Sequence, residues 1–298
     1  MNKIKGLLLS LSLLLLALVV GIFIREQKAY SAITSEIKDS QIEDKKEAKN
    51  KENNKKETNP TEVTDTASDK FKEETFDAGE VRAITKGEKE YTGEKVVFLT
   101  FDDGPDGSSS PRILDILDSN NVPATFFLQG QYINEDTKDI FKRMYDEGHC
   151  VAAHSFGHDY GYLYPGRVGN AANIISDFNK IQERAKEYLG KDFSFKTWRY
   201  PGGHMSWQNL ESADEQLKAQ GVEWIDWNNM TGDAEPASRR PTTAQGMVNM
   251  VKQLTEGSSS NMQVILMHDN RSKELTIQAL PEIIAYYKDL GYKFGKFK

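Results

Sequence analysis

The stretch Val96-Val97-Phe98-Leu99-Thr100-Phe101-Asp102-Asp103-Gly104-Pro105 decides the fold. Its short apolar run over 96–101 reads as a buried strand. The run stops at two adjacent acids and a Gly-Pro turn. Buried carboxylates are costly to desolvate unless they are paired or used. Alone, however, Asp-Asp-Gly is commonly only a turn.

Outward from this strand, short apolar runs recur at 124–128, 150–153, 195–199, 222–227 and 263–267. Helical patterns separate them at 111–118, 137–147, 170–189, 207–219, 243–255 and 275–290. Pro111 suits a first helical position with Ser110 as its cap. Gly148, Gly190, Gly221 and Gly291 stand where glycines terminate helices. Strands alternating with helices imply parallel strands, because each return needs a crossover. The predicted fold is therefore α/β, a distorted (β/α) barrel over 95–298. In such barrels chemistry collects at the C-terminal ends of the strands.

Those ends carry Asp102 and Asp103; His154-Ser155-Phe156-Gly157-His158; Arg199-Tyr200-Pro201-Gly202-Gly203; Trp227, followed by Asp233; and Leu266-Met267-His268. Each is ambiguous alone. Two histidines four apart can be surface groups, and a strand-end arginine can be plain surface charge. Together they place acids, three of the five histidines and an arginine on one rim. An Asp and two His would leave a coordination position open, as in catalytic rather than structural zinc sites. A spare Asp could then serve as base and a spare His as acid.

These motifs, in order, resemble the polysaccharide deacetylase family, the NodB-homology domain of carbohydrate esterase family 4, and peptidoglycan N-acetylglucosamine deacetylases within it. They read TFDDGP at 100–105, HSFGH at 154–158, RYPGG at 199–203, a partial fourth motif ending at Asp233, and LMH at 266–268. The resemblance implies that Asp103, His154 and His158 hold a divalent metal, zinc by expectation. It implies Asp102 as general base, Arg199 as its orienting partner, His268 as general acid and Asp233 as the group that tunes it. It further implies an oxyanion contact at Gly202, with Tyr200, Trp227 and Leu266 at the substrate. Ala234 stands where the fourth motif usually ends in Trp, a departure touching Asp233 and the pocket wall. The implied reaction is hydrolysis of an acetamide, whose amine leaves only when protonated.

The rest of the chain bounds where such chemistry would occur. Residues 6–24, GLLLSLSLLLLALVVGIFI, contain no charge. As a helix they would span about 28 Å, close to a bilayer core. The region 1–24 is expected to be a transmembrane signal anchor, with secretion after cleavage as the alternative. Residues 25–94 are dominated by Lys, Glu, Asn and Thr and are expected to be a disordered spacer. Its root-mean-square reach would be roughly 45 Å. The expected location is the cell membrane, single-pass, with the domain outside. The formal charge is −7 and no basic face is visible in the sequence, so no nucleic-acid partner is expected. The single cysteine, Cys150, permits no internal disulfide and reads as core. His149 and His204 receive no chemical role. The expected partner is an acetylated glycan polymer, N-acetylglucosamine of peptidoglycan first. N-acetylmuramic acid, chitin-like oligomers, poly-N-acetylglucosamine, O-acetyl xylan and a non-catalytic binding module remain alternatives.

Overall fold

The computed structural model describes residues 69–271 and 273–298. The expected membrane helix and residues 25–68 of the expected spacer lie outside the described residues. Among the described residues no helix is long and apolar enough to cross a membrane.

Among the described residues nine strands and eight α-helices follow one another. The strands are β1 (Thr75–Phe76), β2 (Val96–Asp102), β3 (Thr125–Leu128), β4 (Cys150–Ala153), β5 (Thr197–Trp198), β6 (Glu223–Trp224), β7 (Asn229–Met230), β8 (Met262–His268) and β9 (Lys293–Phe297). The helices are α1 (Ala78–Thr85), α2 (Ser110–Asn120), α3 (Lys138–Asp146), α4 (Tyr160–Leu163), α5 (Ala171–Leu189), α6 (Glu211–Ala219), α7 (Ala244–Glu256) and α8 (Glu274–Asp289). All strand pairings are parallel, as the crossover pattern requires. The main path runs β7-β8-β2-β3-β4-β5-β6, with β9 and then β1 attached beside the first half of β2. Among the described residues β6 and β7 are not paired, so the expected distorted barrel is a curled half-barrel that does not close. The two-residue strands β5, β6 and β7 offer too short a ladder to close it.

Alternation along the strands sorts side chains into two cores. Val97, Leu99, Phe101, Phe126, Leu128, Val151, Ala153, Ile265 and Met267 face the helices. Val96, Phe98, Phe127, Cys150, Ala152, Met262 and Val264 fill the inside of the curl with Ile225 and Phe297. Side chains two apart share a face of a strand. The inner phase therefore continues through Thr100 to Asp102, through Ala152 to His154, and through Leu266 to His268.

The folded domain begins earlier than the expected boundary at Lys95. β1 pairs with β9, with Thr75 opposite Lys296 and Phe76 opposite Phe297. Asp77 caps α1 by accepting from the Glu80 amide at 3.1 Å. Ala78, Val81 and Ile84 form one buried stripe of α1 that joins the inner core. The helix packs against both β6 and β8, covering the open side of the curl. The stripe is only three residues wide and lies in a charged stretch, which hid it in the sequence.

Smaller expectations are met or shifted. Pro111 lies in the first turn of α2, but Ser109 is the cap and Ser110 is already helical. The Ser110 hydroxyl donates instead to Asp269 at 2.5 Å. The four helix-ending glycines all take positive φ. Cys150 is buried, and burial pushes its thiol up to about 12. His149 is buried just past the end of α3, with its amide donating to the Met144 carbonyl at 3.1 Å and Nδ1 accepting from the Ala124 amide at 3.2 Å. Burial holds it below the usual histidine value.

Candidate active site

Three residues of the inner phase, Asp102, His154 and His268, and two backbone turns build one site. Asp102 ends β2 with its side chain inside the curl. Asp103 would point outward if the strand continued, but its φ of 78° turns the carboxylate back to the same side. For a non-glycine residue that conformation is uncommon and worth stabilisation only where it is needed. Ser155 and His158 also have positive φ, at 77° and 54°, and this folds His158 back beside His154.

The ligand atoms of Asp103, His154 and His158 lie within 4.8 Å of one another. Asp103 Oδ1 is 3.7 Å from His154 Nε2 and 3.5 Å from His158 Nε2. His154 Nδ1 donates to the Arg199 carbonyl at 2.8 Å, which fixes the ring and leaves Nε2 facing Asp103. Burial, and then the charge of His154, lowers the His158 pKa to about 4, so its ring is neutral at pH 7 and free to act as a ligand. Burial would raise the Asp103 carboxyl, but the nearby His154, His268 and His158 charges and the Gln129 amide hold it below the usual value. A carboxylate and two imidazoles form a donor set suited to zinc or cobalt.

Asp102 and His268 flank this cluster. Arg199 is fully buried and donates to Asp102 Oδ1 at 2.7 Å. Three further donations reach the Thr100 hydroxyl and the Ile225 and Asp226 carbonyls at 2.8, 3.2 and 3.1 Å. The guanidinium lies 3.9 Å from the centre of the Phe127 ring. A buried ion pair needs such saturation to be tolerated. On the other side, His268 Nδ1 donates to Asp233 Oδ1 at 2.8 Å, and His268 Nε2 lies 4.0 Å from Asp103 Oδ2. Burial disfavours a charged imidazole, but the charge and hydrogen bond of Asp233 prevail and raise the His268 pKa. Asp233 is correspondingly held low against its own burial by His268 and Lys273 and by the Thr276 hydroxyl.

A cleft of about 470 Å³ opens over these groups. Gly202, Trp227 and Leu266 line it, together with Tyr160, Met205 and Met230. Tyr200 does not. Its side chain is completely buried and donates to Asp214 at 2.7 Å, because the odd-numbered Arg199 takes the inner phase and its neighbour must face the helices. His204 also turns from the cleft, stacking 3.8 Å over Trp224 and bonding Asp214 at 2.9 Å. Tyr160 and Met205 were missed because a four-residue helix and a 3₁₀ turn carry no periodicity. Asp226 was missed as well; it accepts from the backbone amides of His204 and Met205 and so holds the loop after Gly202. Gly203, in that loop, has φ 81°, and a Cβ there would come 2.9 Å from Trp227.

Comparison with known proteins agrees with this geometry. The polysaccharide deacetylase family profile matches residues 89–222. The chain is 30% identical over 210 residues to peptidoglycan-N-acetylmuramic acid deacetylase PdaA of Bacillus subtilis, covering 68% of this chain and 70% of that one. A Streptococcus mutans CE4 esterase superposes with a TM-score of 0.74 at 43% identity, covering 81% of this chain and all of the other. A family 4 acetyl xylan esterase from Clostridium thermocellum, in complex with a cobalt ion, superposes with a TM-score of 0.55 at 28% identity over 68% and 88% of the two chains. By sequence, by fold and by the residues it gathers at its strand ends, this chain belongs to the polysaccharide deacetylase family and is a deacetylase of the hydrolase class.

Proposed function

We propose that the protein is a metal-dependent enzyme removing N-acetyl groups from a cell-wall glycan, with N-acetylglucosamine of peptidoglycan as its substrate. The observation that carries this reading is the placement of Asp102 and His268 on either side of the Asp103, His154 and His158 cluster, inside one cleft. Asp103, His154 and His158 would hold the cation, which supplies Lewis-acid polarisation when bound.

The protein's own groups account for the proton movements. Asp102, held by Arg199, takes a proton from the attacking water as its oxygen bonds to the acetyl carbon. The Gly202 N–H stabilises the oxygen that becomes negative; one such donor typically contributes about 3–4 kcal/mol. His268, charged through Asp233, gives its Nε2 proton to the amide nitrogen as the C–N bond breaks. Acetate and a free amine result. Trp227 and Leu266 supply apolar walls for the acetyl methyl. The uncharged segment 6–24 and the polar stretch after it support placing the domain outside a membrane, on a tether.

Acetate release from peptidoglycan, chitin oligomers, poly-N-acetylglucosamine and O-acetyl xylan tests the reading. Release should be greatest from peptidoglycan, stop with a chelator and return with zinc or cobalt. Asp102→Asn should keep the cation and lose turnover. Glycan binding without acetate release would make the domain a binding module, and preference for xylan would replace the substrate.

A further inference from the structure

Asp103 is the only one of the three cluster residues whose ligand group is held on both sides by side-chain amides. Gln129 Nε2 donates to Oδ1 at 2.7 Å, and Asn270 Nδ2 donates to Oδ2 at 3.0 Å. Oδ1 is the oxygen nearest both His154 and His158. A carboxylate oxygen has two lone pairs, so one hydrogen bond leaves Oδ1 able to bind a cation. Asn270 holds Oδ2 away from the pair of histidines.

The Gln129 amide is itself oriented. Gln131 Nε2 donates to Gln129 Oε1 at 2.7 Å and also approaches the Gly157 carbonyl at 3.4 Å, one residue before His158. The backbone repeats the connection. The Gln129 amide donates to the Gly104 carbonyl at 2.9 Å, Gly130 to Ser155 at 3.0 Å and Gln131 to Phe156 at 2.9 Å. Segment 129–131 is thus wedged between the turn that carries Asp103 and the turn that carries the histidines. Both turns contain positive-φ residues that need outside support.

We propose that Gln129 and Asn270 are positioning residues that fix the Asp103 carboxylate so that Oδ1 alone faces the cation shared with His154 and His158, and that Gln131 locks Gln129 in that orientation. This rests on the metal-site reading above. Partners behind a metal ligand set its direction and basicity, and their loss typically lowers metal affinity about 10–100-fold.

The test is titration of chelator-treated purified protein with cobalt, following the visible absorption bands of the bound ion. Gln129→Leu should raise the Kd about 10–100-fold and change the band shape as Oδ1 and Oδ2 become interchangeable. Asn270→Ala should act in the same direction, and Gln131→Leu more weakly, since the direct contact survives. Three variants keep the test usable if one does not fold. A purely structural role would lower the melting temperature of the apo-protein and leave the cobalt Kd and spectrum of the folded protein unchanged; that result overturns the inference. The Asp103→Ala control separates the two readings. If cobalt binding by the unmodified protein is absent, or survives Asp103→Ala, the metal site itself is wrong. If binding is lost in Asp103→Ala but stays at the unmodified level in all three amide variants, only the positioning role fails.

Discussion

Replacing Asp233 with Asn gives the most direct test of His268 as the acid. Asp233 Oδ2 accepts from the His268 backbone amide at 2.9 Å and from Thr276 Oγ1 at 2.8 Å, while Oδ1 accepts from His268 Nδ1. The His268 backbone N–H at Oδ2 requires an oxygen. In Asp233→Asn the amide oxygen must therefore stay there, and the NH₂ turns toward His268 Nδ1. The neutral ring then carries its proton on Nε2, and the charged ring loses its partner. A hydrogen bond to a charged group is worth about 1.5–3 kcal/mol. At 1.36 kcal/mol per unit this lowers the His268 pKa by about 1–2 units. The wild-type value lies above that of an ordinary histidine because Asp233 outweighs burial. Activity that needs the protonated ring is complete below that value and lost as pH rises through it, so the alkaline limb of kcat should move about 1–2 units downward. The remaining maximum should fall steeply, on the order of 10⁴-fold if the wrong tautomer dominates as in a serine-protease triad. The assay is acetate release at saturating substrate from pH 5 to 9 on metal-loaded protein. An alkaline limb at the wild-type position would refute the assignment of Asp233 as the group that charges His268.

Two further outcomes are expected. Asp269 is fully buried behind the site, and burial first, then the Asp103 and Asp102 charges, push its carboxyl up to about 7. A carboxyl with a raised folded pKa stabilises below its unfolded value and loses that contribution as pH rises toward 7; urea titrations should show Asp269→Asn gaining on the wild type between pH 4 and 8, and parallel profiles would count against it. Deleting everything before Lys95 removes the buried side chains of Phe71, Val81 and Ile84. At about 1.5–3 kcal/mol each this is roughly 5–9 kcal/mol, a large part of a typical domain's stability. A chain starting at Lys95 should melt far below one starting at Asp69, and equal melting temperatures would show that the early boundary is dispensable.

Much of the site was legible because strand phase and function coincide. Asp102, His154 and His268 extend inner-facing alternations that begin at Val96, Cys150 and Met262, so reading the strands placed them. Asp103 and His158 stood out at strand ends, but their specific place in the cluster came only from motif resemblance, since it depends on positive-φ turns that no periodicity announces. Tyr200 shows the opposite limit. It sits inside a motif, yet the same alternation that brings Arg199 inward sends its ring to Asp214. Gln129 and Asn270 left no signal, because a hydrogen bond across 26 or 167 residues is a property of the fold alone. The segment from Asp69 to Glu94 was hidden by charge: its few apolar residues matter because the open curl needs a cover.

Asp102 and His268 are register partners on β2 and β8, directly across one rung of the longest ladder in the sheet. Adjacent strands are about 4.8 Å apart, a distance set by backbone hydrogen bonds rather than by any loop. Sliding either strand by one residue would turn its own side chain out of the curl and part the pair. The proposed proton acceptor and proton donor are thus spaced by the longest ladder of the sheet. Loops at the rim can lengthen, shorten or exchange their aromatic residues and so change which polymer is admitted, while the distance over which protons are exchanged stays the same.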